Sequence, residues 1–386
     1  MEAPQIATSS LAPTPARVSW IWFAYLAIWG YILYGMGNAA PHLRDDLHLT
    51  DFEAGLHASA LAIGVLAAGV SADWLADRVG PRWLPDLAVA DLIAAIGLLA
   101  VAPTLAVSLT GALMLGLGGS VLGIASAVHL GDAGGDRARR QLTQANAIAM
   151  LGSVAAPVSI GLAASQLTNW RLALFLPLVA LAALTVARPR ELEVRSSVRP
   201  SRSSLPRGFW FAWLLLVLGV SIEFSFVFWG STIVSKQAGM SSADATLLAS
   251  LFVAGMFVGR TTIGRGLGDN RSHSLVLAAG LCVVLIGAVV VWVSTLPILC
   301  GLGLFMGGLG TAGLWPVGLA VALQAAPGAQ YQAAARATLA SGIAVLVAPS
   351  ALGLAADSVG VVGAWPIVLG LACAELLVLA VTPRSR

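Results

Sequence analysis

Long apolar runs separated by short polar connections dominate the hydropathy pattern of this chain. Twelve runs are present, at residues 18–40, 52–72, 84–101, 105–130, 142–165, 170–186, 209–234, 243–264, 274–293, 296–324, 337–356 and 361–381. A helix needs about 17–25 mostly apolar residues to cross a bilayer, so each run is long enough. The runs are continuously apolar rather than alternating, which favours helices over the strands of a barrel. The pattern predicts an all-α membrane protein with twelve transmembrane helices.

The composition supports this prediction and excludes several classes of protein. Of 386 residues, 58% are hydrophobic and only 10% are charged, whereas a soluble domain carries about 25% charged residues. The chain therefore has too little polar surface for a soluble enzyme or a nucleic-acid-binding domain. Its three cysteines lie in or beside apolar runs, which excludes a disulfide scaffold.

The most polar stretch, residues 187–208, divides the chain into two halves of similar length. It contains six arginines, two glutamates and three prolines, which is too polar for lipid. We interpret it as a cytoplasmic linker between an N-terminal lobe at 18–186 and a C-terminal lobe at 209–381. Short cytoplasmic tails then occupy 1–17 and 382–386.

The basic residues are distributed unevenly over the connections. If the N-terminus is inside, 18 of the 21 basic residues lie in or beside the inner connections and tails, and only Arg44, Arg171 and Lys236 lie outside. Connections rich in arginine and lysine stay on the cytoplasmic side of a membrane. We therefore expect both termini to be cytoplasmic and the protein to cross the inner (plasma) membrane several times.

Short elements recur at one spacing along the chain. Asp77 and Asp269 each end a Leu-x-Asp element, and they are 192 residues apart. Pro157 and Pro349 each follow an alanine inside an apolar run and are also 192 residues apart. A repeat of half the chain length predicts two pseudo-symmetric six-helix lobes, as in one class of transporter.

The loop after the second run has a distinctive spacing of glycine and charge. It resembles the signature loop of the major facilitator superfamily, and the matching residues are Gly64, Asp77, Arg78, Gly80 and Arg82. Asp73 stands where that signature has its second glycine, and a degenerate second copy contains Asp269. The resemblance implies a twelve-helix secondary transporter whose lobes rock around a central site in alternating access.

The same loop suggests a conformational latch. Asp77 ends the second helix, and Arg336 precedes the eleventh, so the two charges meet if the lobes touch there. We expect this pair to hold the cytoplasmic side closed in the outward-open state; the alternative is that the charges only anchor loops at the lipid headgroups. The expected latch set is Asp73, Asp77, Arg78, Arg82, Asp269 and Arg336.

Ionisable groups inside a membrane helix are functional candidates. Glu223 lies in the middle of the seventh run, and the resemblance places that helix against the central cavity. A carboxyl group there suits a proton carrier or a substrate ligand, and a hydrogen-bonded structural carboxyl is the alternative. For Asp91 and Glu375, on peripheral helices, we favour structural pairing or snorkelling to the membrane surface over a role in transport, and for His57 a hydrogen-bonded structural role.

A substrate cavity follows from the same arrangement. Tyr31, Tyr34 and Asn38 share one face of the first helix at i, i+3 and i+7. The full set of expected cavity residues is Tyr31, Tyr34, Asn38, Asn146, Trp229, Thr311 and Trp315. Aromatic rings with a few amides and hydroxyls suit sugars or amphipathic compounds, although plain helix packing is equally open. The cavity helices show no embedded basic residue, so a strongly anionic substrate has no evident partner.

The sequence thus predicts proton-coupled transport of a small organic solute rather than an enzyme. Efflux of amphipathic or drug-like compounds by proton antiport is the alternative, and a non-transporting membrane sensor is a third. The expected partners are the solute, protons and membrane lipids, and we expect a monomer. We expect no cofactor, no metal ion and no nucleic acid, since no metal-spaced cluster, nucleophile–base pair or phosphate loop stands out.

Overall fold

The chain folds into long helices, and no strand occurs among the residues described. The computed structural model describes residues 16–80, 83–131, 135–187, 205–266, 273–327 and 329–381. The helices are α1 (Ala16–Leu47), α2 (Asp51–Val79), α3 (Leu84–Val101), α4 (Leu105–Gly131), α5 (Gly135–Gln166), α6 (Phe175–Ala187), α7 (Arg207–Ala238), α8 (Ser242–Gly266), α9 (His273–Val293), α10 (Pro297–Thr311), α11 (Leu314–Gln324), α12 (Gln330–Ala364) and α13 (Pro366–Val381). A short 3₁₀ helix, Trp170–Leu174, precedes α6.

Most of these helices have the length and composition of membrane spans. Eleven segments of the described chain are long and apolar enough to cross a bilayer, and α10 and α11 together form one of them. The remaining helix, α13, is apolar but has only 16 residues. The prediction of an all-helical membrane protein is confirmed. The twelfth span and the cytoplasmic termini stay predictions.

The predicted run 296–324 forms one apolar span, Pro297–Gln324, in agreement with the sequence analysis, but two helices make it up. Ala312 and Gly313 separate α10 from α11. The carbonyl of Gly308 accepts hydrogen bonds from the Ala312 N–H at 3.1 Å and from the Thr311 hydroxyl at 3.0 Å. Pro316, in the first turn of α11, has no N–H to donate to the Ala312 carbonyl, and the neighbouring glycines have a low helix propensity, so the helix is interrupted here.

The boundary between the last two helices agrees with the prediction. The runs 337–356 and 361–381 predict a connection at 357–360, and a kink at Gly360 divides α12 into two helical segments. Gly360 has a φ of 74°, a left-handed conformation that glycine adopts readily. Pro366 then starts α13, in agreement with the preference of proline for a first helical turn.

The first half of the chain (α1–α6) and the second half (α7–α13) make polar contacts near one end of the bundle. This end holds the turns at 48–50 and 239–241. Here His42 and Thr246 are hydrogen-bonded at 3.0 Å, and the Ser242 hydroxyl donates to Asp45 at 3.0 Å. We call the end of the bundle with these two turns the closed end. The opposite end, where α6 ends and α7 begins, is called the linker end.

Small residues bring α2 and α12 together at the closed end. Ser350 of α12 donates to the carbonyl of Gly55 at 3.0 Å, and Ser59 of α2 donates to the carbonyl of Leu346 at 2.5 Å. A Cβ atom on Gly55 would lie only 2.9 Å from the carbonyl oxygen of Pro349. Glycine therefore sets this close approach between the halves, as small residues do in other membrane helix pairs.

A carboxylate of the second half caps a helix of the first half. Asp357 of α12 accepts hydrogen bonds from the backbone N–H groups of Asp51 (2.7 Å) and Phe52 (3.2 Å) at the start of α2. Arg44 of α1 pairs with the Asp51 side chain at 2.6 Å. The first N–H groups of a helix have no partner within it and favour a negative charge. The cap therefore joins the halves electrostatically.

Candidate functional site

A buried carboxyl group lies where the two halves meet. Glu223 occupies the middle of α7 and is 5% exposed. Its carboxylate accepts a short hydrogen bond from the hydroxyl of Tyr34, which α1 brings from the other half. This hydrogen bond joins Tyr34 of the first half to Glu223 of the second. A change in the charge of Glu223 therefore changes a contact between the halves.

A basic side chain completes this pair. Arg260 of α8 places Nη2 4.0 Å from Glu223 Oε1, and its side chain is 30% exposed. Its Nη1 lies 3.2 Å from the sulfur of Met150 on α5, in the first half. Its Nε is buried and has no hydrogen-bond partner among the described residues. Glu223, Tyr34 and Arg260 form what we call the central triad.

Arg260 corrects the expectation that the cavity helices hold no basic residue. Sequence reasoning counted Arg260 with the basic flank of a cytoplasmic connection. The structure places it six residues before the end of α8, which runs to Gly266, at the level of Glu223. A charge inside an apolar run was the signal that could have found it. This site has a basic partner for an anion.

Apolar and amide groups surround the triad. The rings of Tyr34 and Phe224 lie 6.2 Å apart, and the Tyr34 hydroxyl lies 3.9 Å from the sulfur of Met256. Asn38 donates to the backbone carbonyl of Tyr34 at 2.9 Å, while its own oxygen is buried without a partner among the residues described. Tyr34 and Asn38 are thus neighbours on α1, and their part in binding a substrate stays a prediction.

Three of the expected cavity residues make contacts with groups outside the central triad. The Tyr31 hydroxyl donates to the carbonyl of Ala173 at 2.8 Å, within the first half, and so faces away from the triad. Trp229 donates to the carbonyl of Pro349 at 3.0 Å and is 2% exposed, and it borders a small cavity between the halves that is also lined by Pro41 of α1 and Gly55 of α2. Thr311 is buried at the break after α10.

The other two expected cavity residues lie toward the linker end. Asn146 is exposed on α5, one helical turn nearer the linker end than Met150. Trp315, at the start of α11, is half-buried and packs against the apolar core. Asn146 is therefore placed near the level of Arg260, whereas Trp315 has no contact that ties it to the triad.

The expected latch residues that are described lie exposed at the linker end. No ion pair joins Asp77 to Arg336 in the described part of the chain, and both side chains are exposed. Arg78 lies over the ring of Trp74, at 5.4 Å from its centroid. The side chain of Asp73, and the residues Arg82 and Asp269, lie outside the described residues.

The peripheral ionisable groups differ from one another. His57 is hydrogen-bonded to Ser108 at 2.9 Å and to the carbonyl of Ala54 at 3.1 Å, which agrees with the expected structural role. Glu375 is fully buried, and neither carboxylate oxygen has a hydrogen-bond partner among the residues described. Asp91 likewise has one buried, unpartnered oxygen. Structural pairing, expected for Glu375, is not found in the described part of the molecule.

Comparison with solved structures identifies transporters of the same fold. A point mutant of the nucleoside transporter NupG superimposes with a TM-score of 0.79 at 13% identity, covering 95% of this chain and 99% of that one. A mutant of the peptide transporter POT gives 0.78 at 18% identity, with 95% and 94% covered. A bacterial homologue of the human lysosomal transporter Spinster, in an inward-facing and unoccupied conformation, gives 0.74 at 12% identity, with 95% and 97% covered.

Sequence comparison agrees with the structural one. No curated protein matches this chain in sequence. A family profile described as the Major Facilitator Superfamily, however, matches residues 19–303, which is well over half of the chain. The signature loop and the helical fold are consistent with that match. The chain therefore belongs to the major facilitator superfamily.

Proposed function

We propose that this protein is a secondary transporter that couples protons to the movement of a small organic solute, with Glu223 as the proton carrier. The observation that carries the proposal is the central triad, in which a buried carboxylate of α7 is bonded to α1 and lies beside α8. An anion buried in a protein is costly unless it has a partner, so the protonation state of Glu223 depends on the groups around it.

Protonation of Glu223 changes a contact between the halves. As an anion, the carboxylate holds the Tyr34 hydroxyl of the first half and attracts Arg260 of the second. As a neutral acid, it loses the attraction to Arg260 and holds Tyr34 less strongly. A group whose affinity for protons differs between two arrangements of the halves shifts the equilibrium between them. This is the coupling that alternating access requires.

The contacts between the halves favour a conformation that opens toward the linker end. The closed end has the Asp357 cap and the Gly55 approach, whereas Asn146, Asp77 and Arg336 are exposed toward the linker end. With the orientation expected from the basic residues, that opening faces the cytoplasm. We propose that Asp77 and Arg336, with Asp73, Arg78, Arg82 and Asp269, form a latch in the opposite conformation.

Efflux of amphipathic compounds by proton antiport is the second candidate. The rings of Tyr34, Phe224 and Phe228 lie in succession near the triad, at 6.2 and 6.5 Å between centroids, and would suit an apolar ligand. In that case a cationic or neutral amphiphile binds and protons leave Glu223. The direction in which protons move relative to the solute therefore distinguishes symport from antiport.

The test begins with a ligand screen. Purified protein is unfolded thermally in detergent with sugars, small carboxylic acids, nucleosides and drug-like cations, at acidic and at neutral pH, because a ligand that binds the folded state raises its melting temperature. The best ligand is then supplied outside proteoliposomes that contain a pH-sensitive dye. We expect the solute to carry protons into the lumen.

Two matched variants make this test specific. Glu223→Gln removes the proposed carrier, and Glu375→Gln removes another buried carboxyl group that packs against α7. We expect Glu223→Gln to abolish solute-driven proton movement and Glu375→Gln to retain it. Proton movement at the wild-type rate in Glu223→Gln contradicts the proposal, and proton exit upon solute entry favours antiport.

A further inference from the structure

A polar cavity lies between the two halves at the closed end, away from the central triad. Its volume is about 110 Å³, which is room for several water molecules or one small ion. Helices α1, α7 and α8 form it, and the side chains that matter here are Pro41, Arg44, Asp45, Ser231, Thr232 and Lys236. We call it the closed-end cavity.

Short side chains open this cavity. Ser231 and Ser235 share a face of α7 at i and i+4, and α1 contributes the ring of Pro41. These side chains do not fill the space between two helices, so a gap remains where the halves meet. The smaller cavity bordered by Trp229 shares Pro41 with it. Anything bound in the closed-end cavity therefore touches both halves.

One hydroxyl group of the lining is buried without a partner. Ser231 is 2% exposed, and its Oγ has no hydrogen-bond partner among the residues described. Ser225 on the same helix shows the ordinary alternative, since its hydroxyl donates to the carbonyl of Ser221 at 2.7 Å. A buried hydroxyl that bonds to nothing is costly, and native structures rarely leave one without a reason. The Ser231 hydroxyl remains available to a ligand.

The charged groups of the lining leave donors unused. Lys236 is exposed, and no described carboxylate lies within ion-pair distance of it. Arg44 uses three of its five N–H groups on Asp45 and Asp51, so two remain. Asp45 already accepts from Arg44 and from Ser242. The unused groups are thus mainly cationic donors, whereas Asp45 and Asp51 balance the two cations and disfavour a ligand with two negative charges.

We propose that the closed-end cavity binds a small carboxylate anion of the size of acetate or lactate, which accepts hydrogen bonds from Lys236 and Ser231 and stabilises the conformation in which this end is closed. Arg44 of α1 and Lys236 of α7 meet at the cavity only while the halves touch here. A ligand that prefers one of two conformations shifts the equilibrium toward it. The site transfers no proton, so the proposal does not depend on the role of Glu223.

The first test measures binding. The probes are acetate and lactate, each compared with its own neutral amide, in a neutral detergent without added phospholipid. Sodium gluconate, a bulkier anion, keeps the ionic strength constant. We expect the two acids, and not the amides, to raise the melting temperature of the wild-type protein, because they bind its folded state.

Two variants locate the site. Ser231→Ala should raise the melting temperature without ligand, because it removes an unpaired buried hydroxyl, and yet bind acetate about fivefold more weakly. Lys236→Gln should melt like the wild type and bind acetate about tenfold more weakly.

Each variant has a matched control outside the cavity. Ser225→Ala removes a buried hydroxyl of the same helix, and Arg171→Gln removes a positive charge of the closed end. We expect both to bind acetate with wild-type affinity. If Arg171→Gln weakens binding as much as Lys236→Gln does, the general charge of this end attracts the anion, and the cavity is not its site.

A cysteine reporter tests the effect on the closed end. Thr246 is fully buried there and hydrogen-bonded to His42 of the other half. Thr246→Cys, made without the three native cysteines, should react with a maleimide only when this end opens. With acetate at about ten times its dissociation constant, we expect labelling to slow about tenfold. Lys236→Gln should remove most of this protection.

The outcomes separate the site from its effect. Equal shifts with acids and amides, no shift with either acid, or wild-type affinity in both Ser231→Ala and Lys236→Gln would each overturn the anion site. Binding that depends on these residues but leaves the labelling rate unchanged would overturn the stabilisation of the closed end. Neither result bears on proton coupling, which the Glu223→Gln experiment tests by itself.

Discussion

Two carboxyl groups are buried against α7, and their surroundings differ. Glu223 is bonded to Tyr34 across the halves and lies beside Arg260, whose side chain is 30% exposed. Glu375 packs against Gly219 one turn away, is fully buried and has no hydrogen-bond partner among the described residues. Burial is similar at the two positions, and only Glu223 has partners.

The difference between Glu223 and Glu375 shows that burial alone does not connect a carboxyl group to the other helices. A carboxyl group without partners has no polar contact through which a movement of the helices could act on it. A carboxyl group whose partners come from different helices senses their movement. The contrast therefore separates Glu223, the proposed coupling group, from a group that is only buried, and five substitutions test it.

The largest effect is expected from replacing each acid by methionine. Glu223→Met should lower the free energy of unfolding by about 2 kcal/mol, because it leaves Arg260 without a counter-charge; partial exposure of Arg260 reduces the cost. Glu375→Met should raise it by about 1 kcal/mol, because it removes an unpartnered polar group from an apolar site. Thermal unfolding of the two proteins in detergent measures both shifts. Shifts of the same sign would mean that the two environments are equivalent.

A smaller effect is expected from the partner of Glu223. Tyr34→Phe removes the donor to the carboxylate, and with it about 1.5 kcal/mol of the difference between the charged and the neutral Glu223, which should weaken the coupling of solute movement to proton movement about tenfold. Solute-driven proton movement in proteoliposomes measures it. If the melting temperature of Tyr34→Phe is close to that of the wild type, the reduced proton movement does not result from unfolding. Unchanged coupling would remove Tyr34 from the triad.

Gly219 tests the surroundings of Glu375. A Cβ there would lie 3.0 Å from the Leu314 side chain and 3.3 Å from Glu375. Gly219→Ala should therefore lower the free energy of unfolding by up to about 1 kcal/mol, since crowding outweighs the gain in helix propensity. Solute-driven proton movement should be retained. If coupling is lost as completely as in Glu223→Gln, then Glu375 takes part in it.

The smallest effect is expected at Asp357, which bridges the halves but is exposed. Asp357→Asn removes the charge and keeps only one of the two oxygens that accept the N–H groups of Asp51 and Phe52. Water can replace the lost acceptor at this exposed position, so the cost should be about 0.5 kcal/mol. We expect cysteine probes at the closed end to become slightly more reactive while the proton-to-solute ratio stays constant. If the number of protons moved per solute changes in Asp357→Asn, then an exposed carboxylate that connects the two halves is sufficient for coupling.

The helical architecture could be predicted from the sequence because the membrane requires long apolar helices. The breaks were predicted unevenly. The connection near Gly360 was predicted, and the kink there agrees with it. The break between α10 and α11 was missed inside a long apolar run, although Pro316, which has no N–H to donate to the Ala312 carbonyl, was a signal for it.

The candidate site could be predicted in part. Glu223 was found because a carboxylate in an apolar run is costly, and Tyr34 because it shares a helix face with Asn38. Arg260 was missed because it was counted among the basic residues that flank the cytoplasmic connections. Its position inside α8, six residues before the end of the helix, was not considered. Tyr31 faces its own half because the hydroxyl finds a carbonyl there, and spacing along α1 carries no information about such partners.

The break between α10 and α11 coincides with a division of the apolar core. Toward the linker end, α7, α11 and α12 form a separate cluster around Phe209 and Leu216, in which most of the other buried side chains are alanines. Alanine surfaces are shallow and interlock little, so helices can slide along them with a small loss of contact area. The second half is then expected to move as two bodies, with the linker-end portion of α11 turning about Ala312 and Gly313 while α10 keeps its place beside α8 and α9.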